Sequence, residues 1–420
     1  MNRVEKLIAQ LCPEGVEWKV LGDVAELVRG NGMPKTDLTD SGIGAIHYGQ
    51  IYTRYGVWTE NTLSFVSPEK AARLSKASSG DIIITNTSEN MEDVCKAVAW
   101  LGREQIVTGG HATIIKHHEN PKYLSYWFQS ESFFLQKKKL AQGTKVIDVS
   151  AKNLAKVLIP LPPLAIQQEI VDILDKFTSL EAELEAELEA RKTQYEFYRN
   201  SLLTFEKGVP HFSQKIESLI SGDDYRVAKV GDIATFRYGF TAKATDSGVF
   251  RFIRITDITE NGKLSQNGVK FVGNEDGASD CLVRPGDVLM ARTGATYGKT
   301  VLIDEDTPAV YASFLIRLTF DESKIIPSYY WHFAQSRMYW QQANKLVSSG
   351  GQPQFNANVL KEVLIPVPSI AIQQEIVAIL DKFDALVNDI SIGLPAEIAA
   401  RRKQYEYYRA KLLTFKRKEA

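Results

Sequence analysis

Two stretches of the chain repeat one long helical pattern, in which apolar residues return at alternating gaps of four and three. The first runs from LIPLPPLAIQQEIVDILDKF (158–177) to QYEFYRNSLLTF (194–205), and the second from LIPVPSIAIQQEIVAILDKF (364–383) to QYEYYRAKLLTF (404–415). Such gaps are typical of a coiled-coil seam. Because an entire domain lies between the two stretches, the chain order favours an antiparallel pair. The predicted seam residues are Ile166, Ile170, Ile173, Phe177, Leu184, Leu202, Ile372, Ile376, Ile379, Phe383 and Leu412.

The segments that precede the helices also correspond, most of them at a spacing of 206 residues, as in Gly80 and Gly286. SGDIIIT (79–85) and PGDVLMA (285–291) each predict a buried strand after a Gly-Asp turn. The chain is therefore predicted to be an α+β protein of two homologous α/β domains, separated by two long helices in a pseudo-two-fold internal repeat. The predicted segments are domain 1 (1–157), helix 1 (158–206), a linker that opens the second repeat (207–222), domain 2 (223–363), helix 2 (364–416) and a tail (417–420).

The two helices differ in their middle parts. The first carries a tandem acidic four-residue unit, LEAELEAELEA (180–190), whereas the second has NDISIGLPAEIAA (388–400) with Gly393 and Pro395. The second copy is four residues longer there, because its closing segment is displaced by 210 residues rather than 206. We predict a kink or bulge at this point. The alternative for both helices is ordinary amphipathic packing onto their own domains.

Composition limits the class of protein without defining it. The chain has 420 residues, of which 44% are hydrophobic and 24% charged, and its net charge is −1. No apolar run is long enough to span a membrane, and the N-terminal residues show no signal-peptide h-region, so we expect neither a membrane span nor a signal peptide. The three cysteines lie far apart without CxxC spacing, which argues against structural zinc or a disulfide framework and favours a cytoplasmic protein.

These motifs together resemble the specificity subunits of type I restriction–modification enzymes. The resemblance covers nearly the whole chain and depends on the paired LIPLPP/LIPVPS and AIQQEIVxILDKF segments, the QYEFYR/QYEYYR ends and the tandem LEAE unit. It implies that each globular domain is a target-recognition domain for one half of a bipartite, asymmetric DNA sequence. It also implies that the helices form an antiparallel coiled coil, which sets the spacer and docks two methyltransferase subunits.

The same resemblance implies that the partners, rather than this chain, bind cofactors. Two modification subunits would bring S-adenosylmethionine and methylate adenine, and two motor-nuclease subunits would use ATP and magnesium. The chain itself has no Asn-Pro-Pro-aromatic methyltransferase motif, and RTGATYGKT (292–300) is one residue short of a phosphate-binding loop. We therefore expect a non-catalytic subunit without cofactor or metal. The alternatives are a stand-alone coiled-coil architectural DNA-binding protein and a stand-alone nuclease or methyltransferase.

DNA contact is expected from polar and glycine-rich loops, because Lys and Arg bind phosphates while Arg, Asn, Gln, Ser and Thr reach base edges. For any single residue, the alternative to DNA contact is that the side chain is polar because its loop is exposed to solvent. In domain 1 the candidates are Arg29, Asn31, Lys35, Tyr48, Gln50, Arg54, Asn86, His111, Lys137, Lys138, Lys139 and Lys145. In domain 2 they are Arg237, Tyr238, Lys243, Arg251, Arg254, Arg292, Thr293, Tyr297, Lys299, Gln352, Gln354 and Asn356.

Overall fold

A computed structural model of the chain describes residues 3–205, 225–274, 277–304, 306, 308–348 and 353–419. It contains two compact units: unit 1 comprises residues 1–183 and 399–420, and unit 2 comprises residues 184–398. Each unit combines sheets and helices, which confirms the predicted α+β class. The boundaries differ from the predicted domains because each unit includes part of both long helices. The predicted linker, 207–222, lies outside the described residues.

Unit 1 is built on two larger sheets with the strand orders β5-β3-β10-β6 and β2-β11-β7-β9-β4, and two small pairs, β1-β13 and β12-β8. The predicted strand after the first Gly-Asp turn is β7, and all four of its residues are buried. The strands are β1 (Trp18–Val20), β2 (Ala25–Arg29), β3 (Ile43–Ile46), β4 (Trp58–Thr59), β5 (Ser64–Val66), β6 (Ser75–Ala77), β7 (Ile82–Thr85), β8 (Thr87–Ser88), β9 (Ala97–Trp100), β10 (Ile106–Thr108), β11 (Ala112–His117), β12 (Ile147–Asp148) and β13 (Leu158–Pro160).

Unit 2 repeats this plan, with the strand orders β15-β21-β18-β19, β17-β16-β20 and β14-β22. Its central strand β18, from the second Gly-Asp turn, is also buried throughout. Each unit therefore has its own sheet core, and the two cores are equivalent, as the repeat predicts. The strands are β14 (Tyr225–Lys229), β15 (Ala234–Tyr238), β16 (Phe250–Ile253), β17 (Phe271–Val272), β18 (Val288–Ala291), β19 (Thr300–Leu302), β20 (Ala309–Tyr311), β21 (Leu315–Phe320) and β22 (Leu364–Pro368).

The α-helices include the two repeated helical stretches, of which the first is α8 and the second is α13 followed by α14. They are α1 (Arg3–Leu11), α2 (Leu21–Val24), α3 (Tyr48–Thr53), α4 (Pro68–Ala71), α5 (Pro121–Trp127), α6 (Glu131–Leu140), α7 (Ala151–Leu154), α8 (Leu164–Leu202), α9 (Val230–Ile233), α10 (Pro327–Ala334), α11 (Arg337–Leu346), α12 (Ala357–Leu360), α13 (Ile370–Asn388) and α14 (Leu394–Leu412). Short 3-10 turns cover Lys35–Asp37, Ile255–Asp257, Ser279–Cys281 and Gly294–Thr296.

The repeated IQQE motif attaches the start of each long helix to the sheet domain of its unit. In unit 1, the buried Gln167 accepts a hydrogen bond from Asn120 N (3.0 Å) and donates to Pro162 O (2.8 Å). In unit 2, Gln373 is likewise buried and donates to Pro368 O (2.9 Å). A buried amide is costly unless its donors and acceptor are satisfied, so the repeat retains both the glutamine and the segment it bonds.

The repeated LIP motif has a matching role. Tyr123 Oη donates to Pro160 O at 3.0 Å, and Tyr329 Oη donates to Pro366 O at 3.0 Å. Burial raises the pKa of both phenols well beyond the usual range, so they remain neutral donors.

Within each unit, a segment of α8 packs antiparallel against a segment of the second helical stretch. In unit 1, Phe177 stacks on Tyr408 (centroids 5.3 Å apart), while Glu181, one turn further along α8, pairs with Arg402, which lies earlier in α14. In unit 2, Phe383 stacks on Tyr195 (6.2 Å). The predicted antiparallel pairing of the two helical stretches is therefore confirmed for the segments that lie within one unit.

The predicted seam residues fall into two groups by burial. Because the helices contact their sheet domains as well as each other, the most buried face of α8 in unit 1 includes Leu174, which the alternation omitted. The fully buried members are Ile166, Ile170, Leu202, Ile372, Ile376 and Leu412, and the half-buried members are Ile173, Phe177, Leu184, Ile379 and Phe383.

The second helical stretch is interrupted between Asn388 and Leu394, which confirms the predicted break. Asp389 Oδ1 accepts hydrogen bonds from the backbone nitrogens of Ser391 (2.7 Å) and Ile392 (3.2 Å), forming a turn. A Cβ on Gly393 would collide with three backbone carbonyl oxygens of the preceding turn, so only glycine fits there.

The helices in the described ranges include none that is long and apolar enough to cross a membrane. Over the same residues, no group of three or more His, Cys, Asp or Glu side chains is placed to hold a metal ion.

Candidate nucleic-acid interface

Equivalent backbone hydrogen bonds position the candidate loops in both units. After the central strand of unit 1, the backbone nitrogen of Asn86 donates to His111 O at 2.8 Å. After the central strand of unit 2, the backbone nitrogen of Arg292 donates to Phe314 O at 3.0 Å. Asn86 and Arg292 therefore occupy the same position in the two units, as do His111 and Phe314.

A second backbone pairing joins the loop before the LIP motif to the loop after the central strand. Strand β8 pairs with β12 through Thr87 and Asp148 in unit 1, and an isolated bridge joins Thr293 and Gln354 in unit 2. Thr293 and Gln354 each lie 206 positions after their counterparts in unit 1, Thr87 and Asp148. Each unit thus gathers five loops at one end of its sheets: 29–36, 47–56, 85–90, 108–113 and 142–150 in unit 1, and 236–243, 251–257, 292–299, 312–314 and 353–356 in unit 2. We call these the loop clusters.

One glycine in each loop cluster permits a close backbone crossing. A Cβ on Gly30 would collide with the carbonyl of Gly109, and a Cβ on Gly239 would collide with that of Ala312. Isolated bridges join the chain at these same crossings. Gly30 and Gly239 are therefore required by the backbone geometry of the cluster rather than by a ligand.

The loop cluster of unit 1 contains a group of imidazole and phenol rings. Tyr48 lies 4.5 Å from the ring of His47, 4.8 Å from that of His111 and 6.0 Å from that of Tyr52. The Nδ1 atom of His111 shares a hydrogen bond with Thr87 Oγ1 at 2.9 Å. These groups supply hydrogen-bond donors and acceptors together with ring faces, which are the features needed to contact base edges.

Burial is the main cause that lowers the pKa of His47, with His111 and Lys35 adding repulsion. Its Nδ1 accepts a hydrogen bond from Gly49 N at 3.2 Å, as a neutral imidazole does. Burial, and then the neighbouring Tyr48, raises the pKa of Tyr52 to about 12. Both side chains are thus neutral near pH 7, and the positive charge of this cluster comes from other residues.

Several predicted DNA-contacting residues of unit 1 are exposed, but others are occupied by internal bonds. The exposed ones are Arg29, Asn31, Lys35, Arg54, His111, Lys138, Lys139 and Lys145, while Tyr48 is half-buried. Asn31 donates to Arg73 O (2.8 Å), and Arg29 Nε donates to Gly110 O (3.3 Å). Gln50 caps α3 by accepting from His47 N and donates to Ser64 Oγ at 2.7 Å.

Two candidates of unit 1 lie inside it. Lys137 is buried, and its ammonium donates to the carbonyl oxygens of Val94 (2.7 Å) and Glu92 (3.2 Å), so it is not presented to a phosphate. Asn86 is fully buried and donates to Val149 O at 2.7 Å. Sequence alone placed both with the exposed polar residues, because their burial depends on contacts more than 40 positions away.

Most of the arginines predicted to contact DNA in unit 2 are paired within the protein. Arg237 forms an ion pair with Asp280 (2.9 Å), and Arg254 forms one with Asp257 (2.7 Å). Arg251 is buried and donates to a backbone carbonyl. Arg292 differs, because among the described residues its side chain makes one hydrogen bond, from Nε to Ser313 O at 3.0 Å.

The remaining candidates of unit 2 differ in their exposure and in their bonding partners. Tyr238 and Lys243 are exposed, and Thr293 is buried. Each of the others has a partner: Tyr297 donates to Asn344 (2.8 Å), Lys299 pairs with Glu260, Gln354 donates to Thr293 (3.1 Å), and Asn356 caps α12. Gln352 lies outside the described residues.

Sequence reasoning missed one residue of this cluster. Phe314 is 50% exposed, beside Arg292, at the position that His111 occupies in unit 1. The repeat spacing is 203 residues here rather than 206. Alignment at the shorter spacing would have identified it.

The family model described as the type I restriction modification DNA specificity domain matches residues 13–190 and 222–400, one match in each half of the chain. Together these matches span most of the sequence. The chain therefore belongs to the family of type I restriction–modification specificity subunits, which confirms the resemblance inferred from its repeated motifs.

Two curated relatives support this membership. The chain is similar to the specificity subunit of a type I restriction enzyme of Escherichia coli, with 32% identity over 318 residues, covering 71% of this chain and 72% of that protein. It is also similar to a putative type I restriction enzyme specificity subunit of Haemophilus influenzae, with 30% identity over 422 residues, covering 95% of this chain and 96% of the relative.

The fold is also similar to solved structures. One is the crystal structure of a type I restriction–modification S subunit from M. genitalium, with a TM-score of 0.56 at 15% identity, covering 95% of this chain and 96% of that one. Another, from a study of type I complex assembly, has a TM-score of 0.58 at 17% identity, covering 95% and 97%.

Proposed function

We propose that the chain is the DNA-reading subunit of a type I restriction–modification complex and performs no catalysis by itself. The loop cluster of unit 1 reads one half of a bipartite target, and that of unit 2 reads the other. The observation that carries this proposal is that equivalent backbone frames hold different side chains, such as Asn86 and His111 against Arg292 and Phe314. Different side chains at the same positions imply different half-sites, and hence an asymmetric target.

We infer the catalytic partners from what the resemblance to this family implies. Two modification subunits would use S-adenosylmethionine to methylate adenine in the target, and two motor-nuclease subunits would use ATP and Mg²⁺ to cleave unmethylated DNA. Cys12, Cys95 and Cys281 are free thiols, which suits work in the reducing cytoplasm.

The proposal is tested by methylome sequencing of a host that expresses this chain together with its modification subunit. We expect methylated adenine in a bipartite motif whose two halves differ and are separated by a spacer of fixed length. A contiguous palindromic motif would contradict the assignment of one half-site to each unit. An architectural DNA-binding protein without enzyme partners would purify alone and would direct no methylation.

The helical stretches are proposed to set the spacer and to dock the modification subunits. The antiparallel pairing of helix segments within each unit supports this role. A four-residue LEAE unit adds about 6 Å of helix, comparable to one or two base-pair steps. Deleting residues 184–187 should therefore shorten the spacer of the methylated motif and leave both half-sites unchanged. A changed half-site with an unchanged spacer would contradict the proposed role of the helices.

A further inference from the structure

Arg292 is fixed in place, while the end of its side chain makes no hydrogen bond within the described residues. Its backbone nitrogen donates to Phe314 O at 3.0 Å, and its carbonyl accepts from Phe355 N at 2.8 Å. Its Nε donates to Ser313 O at 3.0 Å. Within the part of the chain that the structure describes, neither terminal guanidinium nitrogen, Nη1 or Nη2, has a hydrogen-bond partner.

Two aromatic rings flank this guanidinium. Its Cζ atom lies 5.5 Å from the ring centroid of Tyr238 and 5.5 Å from that of Phe314, and the two rings are 45% and 50% exposed. Tyr238 is held in turn, because its hydroxyl accepts a hydrogen bond from Ala357 N at 3.1 Å. The rings restrict the side chain to one direction, so little of its conformational entropy remains to be lost on binding.

From this geometry we propose that Arg292 reads a guanine in the half-site of unit 2, through two N–H donors to guanine O6 and N7. The inference rests on the proposed function and adds a base identity to it. Arginine matches the O6/N7 edge of guanine with two parallel hydrogen bonds, and this is the commonest specific contact in the major groove. Since Nε is already bonded, the free pair Nη1 and Nη2 would approach the base end-on.

The neighbouring arginines do not share this geometry. Arg237 and Arg254 are neutralised by Asp280 and Asp257. In unit 1 the equivalent position is Asn86, which is buried and bonded to Val149 O. A guanine contact from this position is therefore expected in one half-site only.

The first test is the methylated motif. We expect a G·C pair in the half-site that changes when residues 227–366 are replaced by residues 18–160. In Arg292→Lys, that position should become degenerate while the other half-site keeps its sequence, because lysine retains the charge but not the two-pronged geometry. Arg284→Lys is the control and should leave the motif unchanged, because Arg284 is exposed at the other end of β18, outside the loop cluster.

The second test separates base reading from phosphate binding. The wild-type complex with its modification subunits should bind duplexes carrying 7-deazaguanine at that position about 10-fold more weakly than unmodified duplexes, because one hydrogen bond of the pair is lost. Arg292→Ala should bind both duplexes equally. Thermal unfolding checks that the variant is folded.

The outcomes distinguish the inference from the function it rests on. An unchanged motif in Arg292→Lys, with methylation reduced equally at all sites in Arg292→Ala, would indicate a phosphate contact and overturn the inference. A wild-type half-site without a G·C pair would overturn it as well. If the wild-type chain directs no bipartite methylation at all, the proposed function itself fails.

Discussion

Asn86 and Arg292 stand at the same place in unit 1 and unit 2, yet one is a buried structural amide and the other a half-exposed cation. Their backbones make the same hydrogen bonds to the neighbouring loop, at His111 and at Phe314. The position of each loop is therefore set by the main chain, and its side chains are free to differ. A frame of this kind permits a change of recognition without a change of fold.

The largest effect is expected when both units are given the same loop cluster. Replacing residues 227–366 by residues 18–160 keeps each small sheet intact, because Trp18 pairs with Pro160 as Val227 pairs with Pro366. We expect both half-sites of the methylated motif to become the one read by unit 1. Methylome sequencing measures the result, and an unaltered asymmetric motif would contradict the equivalence of the two frames.

Asn86 is expected to stabilise unit 1. Its amide donates to Val149 O (2.7 Å) and accepts from Thr113 Oγ1 (2.9 Å), both inside unit 1. Asn86→Ala leaves two buried groups without partners, so we expect a loss of about 3 kcal/mol in the stability of unit 1. Hydrogen exchange of the β7 and β11 amides measures this loss.

The matched variant is Arg292→Ala in unit 2. The side chain that it removes is half-exposed and, within the part of the chain that the structure describes, hydrogen-bonded through Nε alone, so its cost should be about 1 kcal/mol. Equal losses in the two variants would mean that the two positions have the same structural role.

The units differ again where the sheet domain meets the long helices. In unit 2, the buried His332 contacts Asp381 through Nε2 (2.7 Å) and Tyr195 Oη through Nδ1 (3.3 Å). In unit 1 the equivalent residue is Tyr126, whose hydroxyl donates to Asp175 at 2.7 Å. A histidine in unit 2 thus stands where unit 1 has a phenol, which stays neutral since burial raises the pKa of Tyr126 above its ordinary value.

Acid should therefore weaken unit 2 at this point. Burial lowers the pKa of His332, although Asp381 and Asp384 oppose this effect and Arg199 adds to it. Because the folded pKa lies below the ordinary value of 6.5, the unfolded chain takes up a proton first as the pH falls below about 6.5. The stability of unit 2 is then complete above that pH and declines below it.

The measurement is hydrogen exchange of α10 between pH 7 and pH 5, corrected for the intrinsic exchange rate. His332→Tyr copies the residue of unit 1 and should make the protection of α10 less dependent on pH than in the wild type. The same pH dependence in variant and wild type would show that His332 is not the group responsible.

Much of the fold was predictable because it depends on local periodicity. The buried strands after the Gly-Asp turns, the long helices and the break at Gly393 all follow from spacing and turn residues. The roles of Gln167 and Lys137 were not predictable, since each side chain is satisfied by backbone atoms distant in sequence. The loops that form the clusters were identified, but which of their side chains is available to DNA depends on internal pairing.

The smallest effect expected is at an exposed ion pair between the helix segments of unit 1. Arg402 is paired with Glu181, and its side chain is 54% exposed, so Arg402→Ala should cost no more than about 1 kcal/mol, and less at high salt.

The equivalent residue in unit 2 is Lys192, which pairs with Glu189 on its own helix instead. Lys192→Ala should cost about 0.3 kcal/mol, since pairs within one helix contribute little. Hydrogen exchange of the adjoining helix segments at low and high salt measures both. A larger, salt-independent loss for Arg402→Ala would mean that its aliphatic stem packs between the helices and contributes more than its charge.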